Sequence, residues 1–139
     1  MSCLFCDIAS GKEPASIVHR DDRFCAFLDV RPVFKGHVLV VPRAHAADFA
    51  ALPLPDLGPF FALIRRVSEA ARGALEAQGT FIAINDKVSQ SQPHLHAHVV
   101  PRTKGDGLRG FFWPRTKYET VQERDGYATR IAQALAGAG

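Results

Sequence analysis

The 139-residue sequence predicts an α+β fold, an antiparallel five-stranded sheet with one long helix, a short N-terminal helix and a C-terminal helix. Short runs rich in β-branched and aromatic residues lie between turn residues, which is typical of strands. One long segment repeats its apolar residues at three- and four-residue steps, the spacing of an amphipathic helix. Strands joined by turns, with a single long helix inserted, indicate an antiparallel α+β arrangement.

The first part of the chain supplies a short helix and three strands. Residues 3–9 carry apolar side chains at helical spacing, and Gly11 follows as a stop signal. Residues 16–20 and 23–29 are rich in strand-forming residues and flank two consecutive aspartates, so a hairpin is predicted there. The run His-Val-Leu-Val-Val-Pro at 37–42 is expected to form a central strand.

The main helix follows a loop with two prolines. Asp56 is its predicted N-cap, which would place Pro59 in the first turn, where proline is tolerated. Gly79 is its predicted end. The apolar stripe of this helix comprises Phe60, Leu63, Ile64, Val67, Ala71, Ala74 and Leu75.

Two further strands and a final helix complete the fold. Residues 81–84 and 94–101 are predicted strands, separated by the polar loop 85–92. After a flexible loop and an aromatic, basic segment at 108–118, helical spacing returns at 119–136. No internal repeat is found, so we expect one domain over 1–139.

Composition limits the class of protein. Hydrophobic residues make up 47% and charged residues 22% of the chain, as in globular domains. The net charge of +3 favours phosphate-bearing ligands mildly but is too small to predict nucleic-acid binding. No signal peptide or membrane-spanning run is recognisable, and three cysteines are an odd number. We therefore expect a cytoplasmic protein with reduced thiols and no membrane partner.

Three histidines, His94, His96 and His98, alternate along the last predicted strand. The strand period of two would place their imidazoles on one face, while the apolar residues between them point to the core. Such a row can bind one metal ion, or it can supply a nucleophile, an acid and an orienting group at a phosphate.

This row and its surroundings resemble the histidine triad family. The His-x-His-x-His motif is followed by two apolar residues and Pro-Arg, and it is preceded by a Gln-Ser pair. Cys-Leu-Phe-Cys at 3–6, Phe-Leu-Asp at 27–29 and the Gly-His-strand-Pro-Arg-Ala-His segment at 36–45 stand in the family order. The ordered set covers residues 3–102, which makes the resemblance highly specific.

The resemblance implies a nucleotide hydrolase or transferase with a covalent histidine intermediate. His96 would attack the α-phosphate of a nucleotide and expel the attached group, and water would then cleave the nucleotidyl-histidine. A neutral imidazole is a good nucleophile near pH 7, which is consistent with this role. His98 would assist the leaving group, and His94 would hold the site together. An adenosine phosphoramidate is the expected substrate, and a homodimer the expected assembly.

The resemblance also implies a substrate site. Asp29 would bind the ribose hydroxyls, and Asn85, Gln90 and Ser91 would donate to the phosphate. The segment between Asn85 and Gln90 lacks the glycine that family members often have. Ordinary turn chemistry would also explain Asn85 and Ser91. The slot for a purine base, or alternatively plain core, would comprise Leu4, Phe5, Ile8, Phe27 and Val30.

A structural zinc ion is a further expectation. Cys3, Cys6, His45 and His94 offer two thiolates and two imidazoles, the ligand set of a closed tetrahedral zinc site. A subset of the family carries this arrangement, and His94 would then be a structural ligand. In the alternative, both cysteines are small buried hydrophobes and His45 caps a helix. No organic cofactor is expected.

Other singled-out residues have simpler expected roles. Cys25 is expected to pack in a strand, His19 to lie on the surface, and His37 to fix a triad imidazole or a backbone carbonyl. Trp113-Pro114 resembles a pair with which the nucleotide phosphoramidase branch of the family ends. This segment would either line a pocket of the partner subunit or anchor the family-variable tail, residues 103–139, on its own core.

Three rival functions fit the same residues. The first is a dinucleoside polyphosphate hydrolase, which differs only in its leaving group. The second is a zinc enzyme in which the three triad histidines bind one catalytic metal ion. The third is a nucleotide-binding module without turnover.

Overall fold

A computed structural model describes residues 2–108 and 115–137 of the chain. Two compact units are present, Met1–Asp106 and Gly107–Gly139, and each is described by itself. The predicted Trp113-Pro114 segment lies outside the described residues.

The first unit holds a five-stranded antiparallel sheet, as predicted. Its strands follow the order β1-β2-β3-β5-β4. They are β1 (Ile17–Arg20), β2 (Phe24–Leu28), β3 (Val38–Pro42), β4 (Gly79–Ala83) and β5 (Ala97–Arg102). The helices of this unit are α1 (Leu4–Ser10), a 3-10 turn (Phe49–Ala51) and α2 (Leu54–Leu75).

Helices cover both faces of the sheet, so its central strands are buried on both sides. Alternate residues of β2 and β3 enter two separate clusters. Phe24 and Val40 pack in the cluster that includes the apolar stripe of α2. Cys25 and Leu39 pack on the opposite face, in the cluster that includes α1. The predicted packing role of Cys25 is thus confirmed.

The predicted ends of α2 were wrong. The helix begins at Leu54 and has no side-chain cap, and Pro59 lies in its second turn. Proline has no N–H, so the carbonyl of Pro55 lacks its helical donor. Arg23 supplies a replacement from 32 residues away, because its Nη2 donates to that carbonyl at 3.1 Å and its Nε donates to Asp56 Oδ1 at 3.0 Å. Asp56 therefore binds Arg23 instead of capping the helix.

The other end of α2 also differs from the prediction. The helix stops at Glu76, which takes the left-handed conformation with φ of 53°. A non-glycine residue rarely adopts this conformation, so nothing in the local pattern indicates the early stop. Gly79 instead opens β4.

The last strand of the sheet is shorter than predicted. β5 starts at Ala97, so His94 and His96 precede it and only His98 lies within it. The backbone of Leu95 instead donates to the carbonyl of Ala46 at 2.7 Å, outside the sheet ladder. The alternation of side chains persists, because Leu95 and Ala97 are buried in the core.

The second unit contains the predicted C-terminal helix, α3 (Val121–Gly137). Its apolar residues are exposed, and they include Val121, Tyr127, Ile131 and Leu135. No helix in the described part of the chain is long and apolar enough to cross a membrane.

Candidate functional site

A cavity of about 540 Å³ opens beside α1 and the end of β2. His96, His98 and Ser91 line one part of it, and Asp29 lies at the end of β2. The predicted base-slot residues all line the cavity, namely Leu4, Phe5, Ile8, Phe27 and Val30. The structure therefore brings an apolar slot, a carboxylate and two imidazoles together around one space.

His96 is oriented so that one ring nitrogen has no hydrogen-bond partner among the described residues. Its Nδ1 lies 2.8 Å from the carbonyl oxygen of His94, which can only accept a hydrogen bond. The proton of a neutral His96 is therefore on Nδ1, and the lone pair is on Nε2. The side chain is buried, and the Phe5 ring lies edge-on at 5.1 Å between ring centroids. His96 can thus act as a nucleophile without losing a proton first.

His98 has the opposite tautomer, which a chain of hydrogen bonds fixes. The backbone N–H of Val33 donates to His37 Nδ1 at 3.1 Å, so the proton of a neutral His37 is on Nε2. His37 Nε2 then donates to His98 Nδ1 at 3.0 Å. The proton of His98 must therefore be on Nε2, where a neighbouring group can receive it.

Burial keeps this histidine pair neutral. Burial, together with the nearby His96 and His37, lowers the pKa of His98 to about 4, against the opposing charge of Asp29. Burial also lowers the pKa of His37, and Asp29 again opposes the shift. Both rings are uncharged at neutral pH, so His98 offers an N–H donor rather than a second cation.

Asp29 is held at the edge of the cavity by the backbone. Its Oδ1 accepts the N–H of Arg31 at 2.9 Å, and its own N–H donates to the carbonyl of His37 at 2.9 Å. The side chain is half-buried, and Oδ2 lies 3.8 Å from His37 Nε2. The carboxylate can therefore accept hydrogen bonds from a ligand in the cavity.

Asp29, His37 and His98 place three donor atoms within 4.8 Å, but this cluster does not suit a metal ion. Metal binding through His37 Nε2 needs a lone pair on that atom. The proton would then move to Nδ1 and face the N–H of Val33, so two donors would oppose each other. The cluster is better described as a hydrogen-bond chain.

A second cluster, the metal corner, consists of Cys3, Cys6, His45 and His94, as predicted. Their ligand atoms lie within 4.8 Å of one another. His94 Nε2 donates to the carbonyl of Pro42 at 2.7 Å, which leaves the lone pair on Nδ1. That atom lies 3.3 Å from Cys3 Sγ and 3.4 Å from Cys6 Sγ. The fully buried His94 therefore presents a ligand atom to two sulfurs.

The spacing of these atoms fits a tetrahedral zinc ion. With Zn–S about 2.3 Å and Zn–N about 2.0 Å, sulfur and nitrogen ligands lie roughly 3.5 Å apart. His45 Nδ1 completes the set at 3.4 Å from Cys6 Sγ. Burial and the neighbouring Cys3 raise the pKa of Cys6 to about 11, with a smaller effect of Asp7. A bound cation would therefore displace the Cys6 proton.

The two clusters separate the roles of the triad histidines. His94 Nδ1 faces the sulfurs, His96 Nδ1 faces a carbonyl, and His98 Nδ1 accepts from His37. The three imidazoles therefore have three different sets of partners. This arrangement does not favour the rival in which all three bind one catalytic metal ion.

The loop at 85–92 lies on the triad side of the cavity. Ser91 and Gln92 line the cavity, whereas Asn85 is exposed and Gln90 is half-buried, and neither of these two is among the lining residues. Lys87 forms an ion pair with Asp48 at 3.6 Å. The structure thus brings only part of the predicted phosphate-binding set to the cavity.

Sequence reasoning missed several features of this site. Glu13, Arg31 and Gln92 also line the cavity, and no motif marked them. The donation from Val33 to His37 was missed because any residue except proline supplies an N–H. The sequence analysis expected only that His37 fixes a triad imidazole or a backbone carbonyl. The hydrogen bond from His37 to His98 confirms the first of these roles. His19 is partly exposed and pairs with Asp21, close to its expected surface position.

Comparisons with known proteins agree with this site. The family model described as HIT domain matches residues 10–105. The adenosine 5'-monophosphoramidase hnt1 of Schizosaccharomyces pombe is 30% identical over 115 residues, which cover 82% of this chain and 84% of that protein. A solved HIT family protein from Bacillus subtilis has a TM-score of 0.85 at 29% identity and covers 96% of both chains. A Zn-bound histidine triad family protein from Mycobacterium smegmatis has a TM-score of 0.74 at 38% identity, covering 99% of this chain and 97% of that one.

Proposed function

The chain belongs to the HIT domain family, and on that premise we propose that it hydrolyses a nucleotidyl bond at the α-phosphorus through a covalent intermediate on His96. The preferred substrate is an adenosine phosphoramidate. The observation that carries the proposal is the pairing of a free Nε2 lone pair on His96 with an Nε2–H on His98 in one cavity. The similarity to the phosphoramidase of S. pombe supports the choice of substrate.

In the first step, His96 Nε2 forms a bond to the α-phosphorus while the bond from phosphorus to the leaving group breaks. His98 Nε2–H donates a hydrogen bond to the leaving nitrogen, which takes a proton from water, so an amine departs neutral and hydroxide remains. The imidazole ring of His96 becomes positively charged. Its Nδ1–H points at the carbonyl of His94, which stabilises that charge.

In the second step, water attacks the same phosphorus and the Nε2–P bond breaks. The hydroxide left by the first step accepts the proton that the attacking water loses, while His98 Nε2–H donates a hydrogen bond to a phosphate oxygen. The nucleoside monophosphate leaves, and His96 returns to its neutral state with the proton on Nδ1. Because His98 Nε2–H is the hydrogen-bond donor in both steps, the hydrogen bond from His37 holds the acting atom in place throughout the cycle.

The rest of the cavity is assigned to the nucleoside and the phosphate. Asp29 accepts hydrogen bonds from the ribose hydroxyls. A purine base stacks in the slot lined by Phe5, Phe27 and their apolar neighbours. Ser91, exposed at the cavity wall, donates to a phosphate oxygen. Asn85 is assigned a contact farther out, with the leaving group, because it is exposed at the start of the same loop.

Zinc is the ion proposed for the metal corner. Cys3 and Cys6 belong to the start of α1, and His94 directly precedes the catalytic segment. A bound zinc ion would be a purely structural tie, because the donor set supplies all four ligands of a closed site. Phe5 lies between Cys3 and Cys6 in the sequence, so fixing both cysteines beside His94 would keep the Phe5 ring against His96. The Zn-bound M. smegmatis relative supports this assignment.

A homodimer in the cytoplasm is proposed as the working form. Strand β4 is an edge strand, and its Ile82 is 46% exposed, so a second copy can cover it. The three free cysteines are typical of a reducing compartment. We also retain the proposal of one domain over 1–139, with a variable tail that contributes Trp113-Pro114 to a substrate pocket of the partner. Trp113→Ala should then change substrate selectivity, and unchanged selectivity and turnover would remove that role.

The proposal is tested by turnover of adenosine 5'-phosphoramidate, with intact-mass detection of an adenylylated protein. Wild type should release AMP and form the adduct, while His96→Ala should do neither. His19→Ala is the matched control, because it removes an imidazole 29% exposed on the surface. Equal turnover in wild type and His96→Ala would exclude the covalent mechanism. No turnover or adduct in wild type, followed by activity on a dinucleoside polyphosphate, would reassign the leaving group.

A further inference from the structure

A short segment binds both the loop 85–92 and the backbone between that loop and the catalytic histidines. We call residues 46–49 the strap. The carbonyl of Ala46 accepts Leu95 N–H at 2.7 Å. Along the rest of the strap, the Ala47 carbonyl accepts from Gln90, Asp48 pairs with Lys87, and Phe49 N–H donates to Asp86 Oδ1 at 2.9 Å. Three successive strap residues, 47–49, thus hold the loop, and Ala46 binds the backbone just beyond it.

The side chain of Gln90 binds both the strap and another residue of its own loop. Its Oε1 accepts the N–H of Lys87 at 2.9 Å, and its Nε2 donates to the carbonyl of Ala47 at 2.7 Å. The side chain is half-buried and does not line the cavity. Both ends of the amide therefore have protein partners. Because the side chain is not part of the cavity wall, a phosphate in the cavity could reach the second Nε2–H of Gln90 only if the loop moved.

The backbone around Gln90 needs such restraint. Lys87 and Ser89 have φ of 70° and 61°, in the left-handed region that side chains other than glycine rarely adopt. The loop contains no glycine that would adopt this shape at low cost. A conformation of this kind persists only where surrounding contacts hold it. The hydrogen bond from Lys87 N–H to Gln90 Oε1 closes a turn that contains both of these residues. The hydrogen bond from Gln90 Nε2 to the Ala47 carbonyl ties that turn to the strap.

We propose that Gln90 is a positioning residue, which holds the loop against the strap so that the neighbouring Ser91 faces the phosphate, and that it does not contact the phosphate itself. This inference rests on the proposed function, because it concerns the phosphate side of the same cavity. It also reverses the role that the sequence resemblance implies for Gln90. Ser91 becomes the side chain of this pair that donates to the phosphate.

The test combines steady-state kinetics with hydrogen exchange on the full chain. Gln90→Ala should lower kcat/KM by roughly tenfold to a hundredfold, mostly through KM, because misplacement of the loop weakens phosphate binding. Amides of residues 86–91 and of the strap should exchange faster. Gln78→Ala is the matched control, because Gln78 Oε1 accepts Lys104 N–H in a loop that does not line the cavity. It should leave the kinetics unchanged.

A double-mutant cycle separates positioning from direct contact. If Gln90 only places Ser91, then Ser91→Ala should cost little in a Gln90→Ala background, and the two losses will not multiply. The proposal fails if the losses multiply, if kcat falls with unchanged exchange, or if Gln90→Ala has wild-type kinetics. Gln90→Met, which keeps the side-chain length but has no amide, repeats the test should the alanine variant not fold.

Failure of the proposed function would be recognised separately. Adduct formation on wild-type His96 is measured first and does not involve Gln90. If no adduct forms, the exchange comparison still tests whether Gln90 holds the loop. Unchanged exchange in Gln90→Ala and Gln90→Met would then overturn the positioning role independently of the chemistry.

Discussion

His94 and His37 are two buried histidines that end up with opposite chemistry. Both have neutral rings at pH 7, because burial lowers the pKa of each. The backbone carbonyl of Pro42 accepts a hydrogen bond from Nε2–H of His94 at 2.7 Å. A backbone N–H, that of Val33, donates to the ring of His37 at 3.1 Å. His94 therefore offers a lone pair to its cluster, whereas His37 offers a proton.

This difference shows that the backbone partner decides what a buried imidazole can do. The side chains are identical, and only the direction of one hydrogen bond differs. A lone pair facing two sulfurs suits a metal ion. A proton facing His98 instead fixes a catalytic tautomer.

Replacement of His37 should have the largest effect. His37→Ala removes the donor that fixes His98, so the acting tautomer is lost and kcat/KM should fall by about a hundredfold to a thousandfold. His37→Gln should retain most activity, because an amide has one acceptor for Val33 and one donor for His98. Steady-state kinetics with adenosine 5'-phosphoramidate measures both. Equal losses in the two variants would show that the direction of the hydrogen bond does not matter.

Removal of a sulfur from the metal corner should affect stability more than chemistry. Cys6→Ser should lower zinc content per chain and lower the free energy of unfolding by about 3 kcal/mol, when wild type is compared at free zinc about a hundred times its Kd. Adduct formation on His96 should persist at low temperature. Zinc content by mass spectrometry and thermal melts with and without a chelator measure these effects.

Cys25→Ser is the control for that experiment. Cys25 is buried in the cluster beneath α1 but does not belong to the metal corner. Its replacement should destabilise the protein through burial of a hydroxyl, without changing zinc content. If a chelator shifts the melting temperature of Cys6→Ser as much as that of wild type, the assignment of zinc to the metal corner is wrong.

Much of the fold was predictable, because it follows from local patterns. The type and order of the helices and strands were right, and the four residues that the resemblance implied for the metal corner lie together. The errors have non-local causes. Pro59 is accommodated within α2 because Arg23, distant in sequence, binds the carbonyl that the proline leaves free. A local pattern contains no information about that partner.

The chemistry of the site was less predictable than its residues. The row of histidines was visible in the sequence, but their tautomers depend on Pro42 and Val33, which contribute only backbone groups. The left-handed residue Lys87 likewise has no sequence signal. Side-chain identities thus indicated which groups meet, while the direction of each hydrogen bond required the structure.

The pH dependence of stability tests the lowered pKa of His98, the ring that accepts a hydrogen bond from His37. The pKa of His98 is about 4 in the folded chain and near 6.5 when unfolded, so the unfolded state binds more protons between these values. Stability should be complete above about pH 6.5 and should fall by about 1–3 kcal/mol as the pH drops toward 4. Urea unfolding of Cys6→Ser protein at several pH values avoids a contribution from zinc release. His98→Gln in that background should flatten the curve, and an unchanged slope would contradict the assignment.

Replacement of the partly exposed His19 should change stability least. Its Nε2 lies 2.8 Å from Asp21 Oδ2, but the side chains are 29% and 43% exposed, so water competes for both. Burial opposes the lowered pKa of Asp21, which results from hydrogen bonds from His19 and from the N–H groups of Arg23 and Phe24. His19→Ala leaves both backbone donors in place. The free energy of unfolding at pH 7 should therefore change by less than about 1 kcal/mol. A larger loss in urea unfolding would show that an imidazole can contribute strongly here without the burial that fixes His94 and His37.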